Sequence, residues 1–364
     1  MGLISLALCK LFVIKIDANM RKLSVLSETR DNNFNLIRAG AAVGVFISHC
    51  FPLAGFGIGG KSQLLGYLSL NTFFIISGFL VTRSFFFRGD VLTYLRSRAL
   101  RIFPGLFLAL LYTVFIVGAI FTTLPYSAYM SDSLVYEYTI KNVVLFLPDT
   151  PSNIPGVFLD SKYRPIANAP LWSLPYEVAC YISLMLLALV TRARNNITIF
   201  RFVTVSLLLI FFIIFVANYV SGSSKFAIFL GKESFRLGAM FMVGVVLYLA
   251  RNKIIISHRI MMGLALIILM STFYKPIFVV FTYACLGYFV LYLAYIPNGI
   301  FREFNKLGDY SYGIYIFGYP TQQALEQITP NLDLLQFFII SFSITLALAI
   351  LSWHMIESRA LSYK

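Results

Sequence analysis

Charge is what this 364-residue chain has little of: Asp, Glu, Lys and Arg make up 12% of it, about half of their share in a soluble domain. Acidic residues are the scarcer kind, 15 against 29 basic ones, and there are three histidines and two tryptophans. With 59% apolar residues and a mean hydropathy of +0.82, the chain holds more apolar surface than a soluble fold can hide. Cysteine is equally sparse. Cys9, Cys50, Cys180 and Cys285 show no CxxC spacing and three of them lie inside apolar runs. Neither a disulfide nor a metal site is expected. Internal repeats and low-complexity tracts are absent, and no small-residue cleavage site precedes the first long apolar run. Residues 3–14 are too short to span a bilayer, so an interfacial segment or translation from Met20 is expected there.

Apolar runs recur from about residue 36 almost to the end, and at about 20 residues per span they predict an all-α integral membrane protein of ten helices. The expected spans are 36–57, 64–86, 102–124, 170–191, 198–220, 235–250, 259–274, 277–296, 310–327 and 332–356. The sixth and seventh are short enough for a tightly turned pair. The net charge of +14 would suggest nucleic acid in a soluble chain, but these basic residues gather between apolar runs and report orientation instead. With the N-terminus inside, only Lys61, Lys141, Lys162, Arg164, Lys225, Lys232, Arg236 and Lys275 fall outside. Both termini are therefore expected in the cytoplasm. The organisation predicted is a cytoplasmic segment 1–32, a membrane domain 33–358 and a tail 359–364. Its longest outer loop, 125–169, carries five prolines and Tyr126, Tyr129, Tyr136 and Tyr138, which suits an ordered sugar-holding surface or a floppy connection.

Ionisable groups inside spans are costly, which makes each a functional candidate. His49 lies in the first span and Glu177 in the fourth. Arg38 opens the first span at the inner face, so His49 lies roughly 16 Å further out, and Glu177 falls roughly 10 Å below the outer face. The two heights match. A histidine–carboxylate contact is expected, with His49 as a general base and Glu177 fixing its tautomer; the plainer reading of His49 is an imidazole bonded to a backbone carbonyl. Eleven residues at 100° each also return Arg38 and His49 to nearly one helix face. Arg98 and Arg101, one turn apart at the inner end of the third span, suit either membrane anchoring or the phosphates of coenzyme A. His258 and His354 sit near inner helix ends and read as interfacial or structural. The segment GFGIGGKS at 55–62 spells a phosphate-binding loop, but it follows a membrane helix rather than a strand and reads as a flexible turn.

Six elements then recur in order: NLIRAGAAVGVFISH (35–49), SLNTFFIISGFLVT (69–82), RSRALRIFP (96–104), LWSLPYEVACY (171–181), LGDYSYGIYIFGYPTQQ (307–323) and WHMIES (353–358). Together they resemble the acyltransferase-3 family of bacterial polytopic membrane O-acyltransferases over most of residues 33–357. The resemblance implies about ten core helices in the bacterial inner membrane, an acyl-CoA donor, most often acetyl-CoA, as co-substrate with no permanently bound cofactor, and a glycan acceptor that can be lipid-linked. It also implies His49 as the essential histidine, Arg38 as its companion, Arg98 and Arg101 at the donor entrance and Glu177 in the Trp-Ser-Leu element. From the same elements Asn71, Ser77, Trp172, Ser173, Tyr310, Ser311 and Tyr312 are expected to line the site. Two departures stand out. Gly318 occupies a position where many members have histidine, and no esterase-like domain follows, so the acceptor is met by the chain's own outer loops or through a periplasmic partner protein. A transporter or flippase of a lipid-linked glycan and a glycan polymerase are the rival readings, against which stand the missing repeat and the low charge of the long outer loop.

Overall fold

The computed structural model describes residues 21–29, 31–57, 59–88, 90–146, 149–221 and 232–364. The alternative starts Met1 and Met20, the early apolar stretch with Cys9, and Lys225 lie outside the described residues. Each of the ten expected spans overlaps a helix, the third beginning eleven residues earlier than expected: α1 Phe34–Leu53, α2 Gly60–Arg88, α3 Val91–Leu111, α4 Leu174–Val190, α5 Ile197–Ser221, α6 Lys232–Leu249, α7 His258–Ser271, α8 Lys275–Tyr295, α9 Ser311–Ile328 and α10 Leu334–Ser352. A π-helical turn, Tyr112–Gly118, prolongs α3, and another, Trp353–Glu357, prolongs α10. Strand structure among the described residues is one antiparallel pair, Arg21–Lys22 with Ile255–Ile256.

Among the described residues seven helices are long and apolar enough to cross a membrane. The other three expected spans fall short for separate reasons. Lys232, Glu233 and Arg236 charge the start of α6, α7 has only 14 residues, and α9 carries Thr321, Gln322, Gln323 and Glu326 in its second half.

Local chemistry sets the helix ends. Asp90 accepts from the Thr93 N–H at 2.7 Å to start α3, Ser257 from Arg259 at 3.2 Å to start α7, and Asp333 from Gln336 at 2.8 Å to start α10. Between α1 and α2 the chain reverses through Gly55 and Gly57, with φ of 89° and 74°, a region in which a side chain is strained. The GFGIGGKS segment is thus a helix-to-helix turn.

The chain forms two compact units. The first comprises the described parts of residues 1–37, with 74–83 and 188–304. In it Phe34, Phe79 and Tyr295 make an aromatic cluster, and Asn33 ties the start of α1 to the Leu293 and Pro297 carbonyls at 3.0 and 2.9 Å. α2 meets α6 backbone to backbone: a Cβ on Gly78 would fall 2.0 Å from the Phe241 carbonyl oxygen, and one on Gly244 would fall 2.1 Å from that of Ile75. Small residues let membrane helices approach this closely. Replacing Gly78 with valine is expected to force α2 and α6 apart at a cost of at least about 1–3 kcal/mol. A lower yield of monodisperse protein and a lower melting temperature in detergent should follow; a variant as stable as the parent would show that the crossing can relax.

The second unit comprises 38–73, 84–187 and 305–364 and is built around α9. Every residue of α9 from Ser311 to Gln323 is buried. Gly313 lies against Ala349 of α10, Gly318 against the Phe46 ring of α1, and the Tyr312 hydroxyl donates to the Ile102 carbonyl of α3 at 2.9 Å. Gly318 thereby serves packing. A helix this polar is stable in such a place because its neighbours, rather than lipid, surround it.

Candidate functional site

All the ionisable candidates lie in the second unit and form two groups, one near each end of α1. At its beginning, the Arg38 Nη1 donates to Asp309 Oδ2 at 2.8 Å, and Arg101 Nη2 from α3 donates to the same oxygen at 2.5 Å. The other carboxylate oxygen accepts from the Ser311 hydroxyl at 2.5 Å and from its N–H at 3.3 Å. Asp309 is buried at the approach to α9. Burial opposes its ionisation, but Arg101 and Arg38 outweigh that and hold the carboxyl well below the usual carboxylate range. Two partly buried guanidinium groups thus share one buried anion.

Glu177 belongs to this group. Its carboxylate accepts from the Tyr181 hydroxyl one turn along α4 and lies within electrostatic reach of Arg38. Arg98 completes the cluster, with its guanidinium 5.9 Å from the centre of the Tyr181 ring and its Nε donating to Ser97 at 3.2 Å. Behind it, Glu357 from the π-helical turn of α10 accepts from Ser352 at 2.7 Å. Arg38, Arg98 and Arg101, expected at the inner face, and Glu177, expected in the outer half, therefore gather in one charged network.

The second group surrounds a cavity of about 590 Å³. His49 lines it from α1, roughly 16 Å along the axis from Arg38. The imidazole meets the Tyr319 ring edge to face, with centres 5.1 Å apart. It makes no hydrogen bond to Glu177, which lies with the group at the other end of α1, so the matching heights expected from sequence do not hold. Trp172 stands at the cavity, its ring 5.8 Å from that of Tyr176. Ser173 lies behind the wall and shares a 2.7 Å hydrogen bond with Tyr315, which reaches the lining. The long loop supplies much of the far wall through Tyr138, Asn142, Pro151, Tyr163 and Asn168. Two short helices, Tyr126–Ser131 and Ser133–Val144, order it between its prolines. Of the four tyrosines singled out there, Tyr138 alone lines the cavity; Tyr129 is buried with its hydroxyl on the Val114 carbonyl, Tyr136 bonds Met130, and Tyr126 is exposed.

The remaining candidates are dispersed. Ser311 bonds Asp309 and Tyr312 bonds Ile102, so both sit beside the arginine cluster. Tyr310 turns away to the Leu307 carbonyl and to His354 at 3.3 Å. Asn71 is fully buried in α2 away from the cavity lining, and Ser77 belongs to the other unit. His258 pairs with the Tyr292 hydroxyl.

Sequence reading passed over Asp309, Tyr181, Tyr319 and Asn168. For Asp309 a signal existed: an acidic residue two positions before Ser311 at a helix start, in a chain whose spans carry arginines without an assigned counter-ion. For the other three no local signal was present, since tyrosine and asparagine recur throughout the chain.

A family model described as "Acyltransferase domain" matches residues 31–354. Among known proteins, the chain is 26% identical over 343 residues to a Shigella phage Sf6 protein called "O-acetyl transferase", covering 92% of this chain and 97% of that one. It is 29% identical over 171 residues to "Nodulation protein 10" of Rhizobium leguminosarum bv. viciae, covering 44% and 45%. No solved structure matches it.

Proposed function

Since the chain belongs to the acyltransferase-3 family and is an enzyme that transfers acyl groups, we propose that it carries an acyl group, acetyl in the first instance, from cytoplasmic acyl-CoA to a hydroxyl of an envelope or exported polysaccharide in the bacterial inner membrane. The observation that carries this reading is the arrangement along α1, with an arginine cluster at one end and an imidazole in an aromatic cavity at the other. The distribution of basic residues assigns the cluster to the cytoplasmic side and both termini with it. The shorter or more polar helices α6, α7 and α9 complete ten spans in this reading.

The donor's phosphates dock at Arg98 and Arg101, with Arg38 beside them, and its pantetheine arm extends towards His49. Guanidinium groups suit phosphate through bidentate geometry. The acceptor hydroxyl enters the cavity from the outside. An imidazole nitrogen of His49 takes its proton as the oxygen attacks the thioester carbonyl carbon; the C–S bond breaks, and the coenzyme A thiolate takes the proton back, leaving an ester and a free thiol. Tyr319 at the edge of the ring orients it. Glu177, engaged with Tyr181, balances the charge of the arginine cluster rather than the imidazole. The acetyl donor is favoured by the name of the phage relative.

Acyl esters on surface polysaccharide, measured by their methyl resonances in cells with and without the gene, test the assignment. Disappearance of one set of esters with polymer length and amount unchanged is expected. Full esterification with polymer lost from the surface would instead indicate transport.

A further inference from the structure

The cavity beside His49 has walls that restrict what can enter. Among the described residues lining it, none bears a carboxylate, ammonium or guanidinium, and His49 is the single side chain there that can carry charge near neutral pH. Of the cations nearby, Lys162 donates to the Pro330 carbonyl and Arg164 lies over the Tyr163 ring at 5.4 Å; neither lines the cavity. Aromatic faces from Trp172, Tyr67 and Tyr176 take the place of charge.

One polar group in the wall is incomplete. Asn168 is 4% exposed, and its Nδ2 donates to the Ile316 carbonyl of α9 at 2.8 Å. That bond fixes which end of the amide is which, because a carbonyl can only accept. The other end, Oδ1, is buried and has no hydrogen-bond partner. A buried acceptor left unpaired is uncommon and calls for a donor.

We infer that the cavity takes a neutral sugar and that Asn168 Oδ1 accepts a hydrogen bond from one of its hydroxyls, making Asn168 a specificity-determining residue for the acceptor. The inference rests on the acyl-transfer reading and names its acceptor class. Sugars offer apolar C–H faces to aromatic rings and a rim of hydroxyl donors, matching both features of the wall. An acidic sugar does not match. Its carboxylate would be desolvated with no cation but His49 to meet it, and pairing with His49 would hold the imidazole protonated and remove it from proton abstraction.

Two binding measurements test this on the full chain in lipid nanodiscs. The probes are methyl glycosides of glucose, galactose and mannose and the corresponding uronates, followed by the fluorescence change that Trp172→Phe abolishes. At least one neutral glycoside is expected to bind at least about tenfold more tightly than its uronate. In a monodeoxy series of that glycoside, one missing hydroxyl should weaken binding about tenfold or more in the parent and leave Asn168→Ala, already weakened, unaffected. A merely structural Asn168 would leave the hydroxyl dependence intact in the variant. Equal or tighter binding of uronates, absence of glycoside binding, or an identical deoxy profile in both proteins overturns the inference. Should Asn168→Ala not fold, the comparison of glycoside with uronate in the parent decides. Transfer of labelled acetyl from acetyl-CoA to the native polysaccharide, run in parallel, separates the two levels. Retained transfer with failed selectivity sinks this inference alone, while absent transfer sinks the acyltransferase mechanism and this inference with it.

Discussion

Replacing His49 with alanine is expected to lower acyl transfer by about a hundred- to ten-thousand-fold, the usual contribution of a positioned general base. Folding should survive the change. The ring borders an existing cavity and touches Tyr319 by its edge, and it takes part in none of the α1 to α9 contacts at Phe46 and Cys50. Truncation therefore widens a space already present instead of opening a void in close packing, and the large cavity cost of core truncations does not apply. His49→Gln sharpens the test. It keeps a polar side chain of similar reach but cannot accept and return a proton, so it should fall to the alanine level, whereas an orienting role would be partly rescued. Acetyl transfer to polysaccharide per molecule of folded protein in the membrane is the quantity to measure. A glutamine variant within about tenfold of the parent would remove His49 from proton transfer and with it the mechanism derived above.

The helices were readable from sequence because the bilayer imposes a length and a composition on each one. α1 to α5, α8 and α10 present long runs of apolar residues, and their ends follow to within a few residues except at the start of α3, which begins at Val91 rather than 102 because Arg96, Arg98 and Arg101 are inside the helix. α9 was found for another reason. Its first half, SYGIYIFGYP, is apolar, but its second half is polar, and only the structure reveals that neighbouring helices surround it. In the site, the face shared by Arg38 and His49 followed from the period of a single helix, for which rise and rotation are fixed. The pairing of His49 with Glu177 required both the offset and the rotation of α4 against α1, which residue counts from the ends of two separate spans do not supply. Glu177 instead turns to Tyr181 and the arginines. Asp309 escaped notice because it stands outside the spans, where an acidic residue is cheap; its importance comes from Arg38 and Arg101, distant in sequence by 271 and 208 positions.

Asp309→Asn is expected to be the most destabilising single change in the charged cluster. The amide leaves Arg38 and Arg101 as two partly buried like charges around a neutral group, and breaking a fully buried ion pair by removing one partner costs about 3–5 kcal/mol, which is the upper bound here. The pH dependence has a definite sign. A carboxyl held below its ordinary value contributes stability that is fully present above about pH 4 and fades as pH falls through the lowered value. The parent should thus keep this contribution throughout the neutral range, and the variant should lack it at every pH. Replacing all three partners by apolar residues, as in Asp309→Leu with Arg38→Met and Arg101→Met, should recover much of the stability, since a buried ion pair and a well-packed apolar group of similar volume are often equivalent. Acyl transfer should stay lost if those arginines hold the donor. Free coenzyme A provides the last discrimination. Its phosphates can replace the missing anion, so it should raise the melting temperature of Asp309→Asn more than that of the parent, where the arginines are already engaged. A melting temperature for Asp309→Asn equal to the parent's would mean that another anion or solvent already compensates the arginines. An unstable Asp309→Asn that coenzyme A leaves unchanged would assign the cluster to structure alone and move the donor site elsewhere.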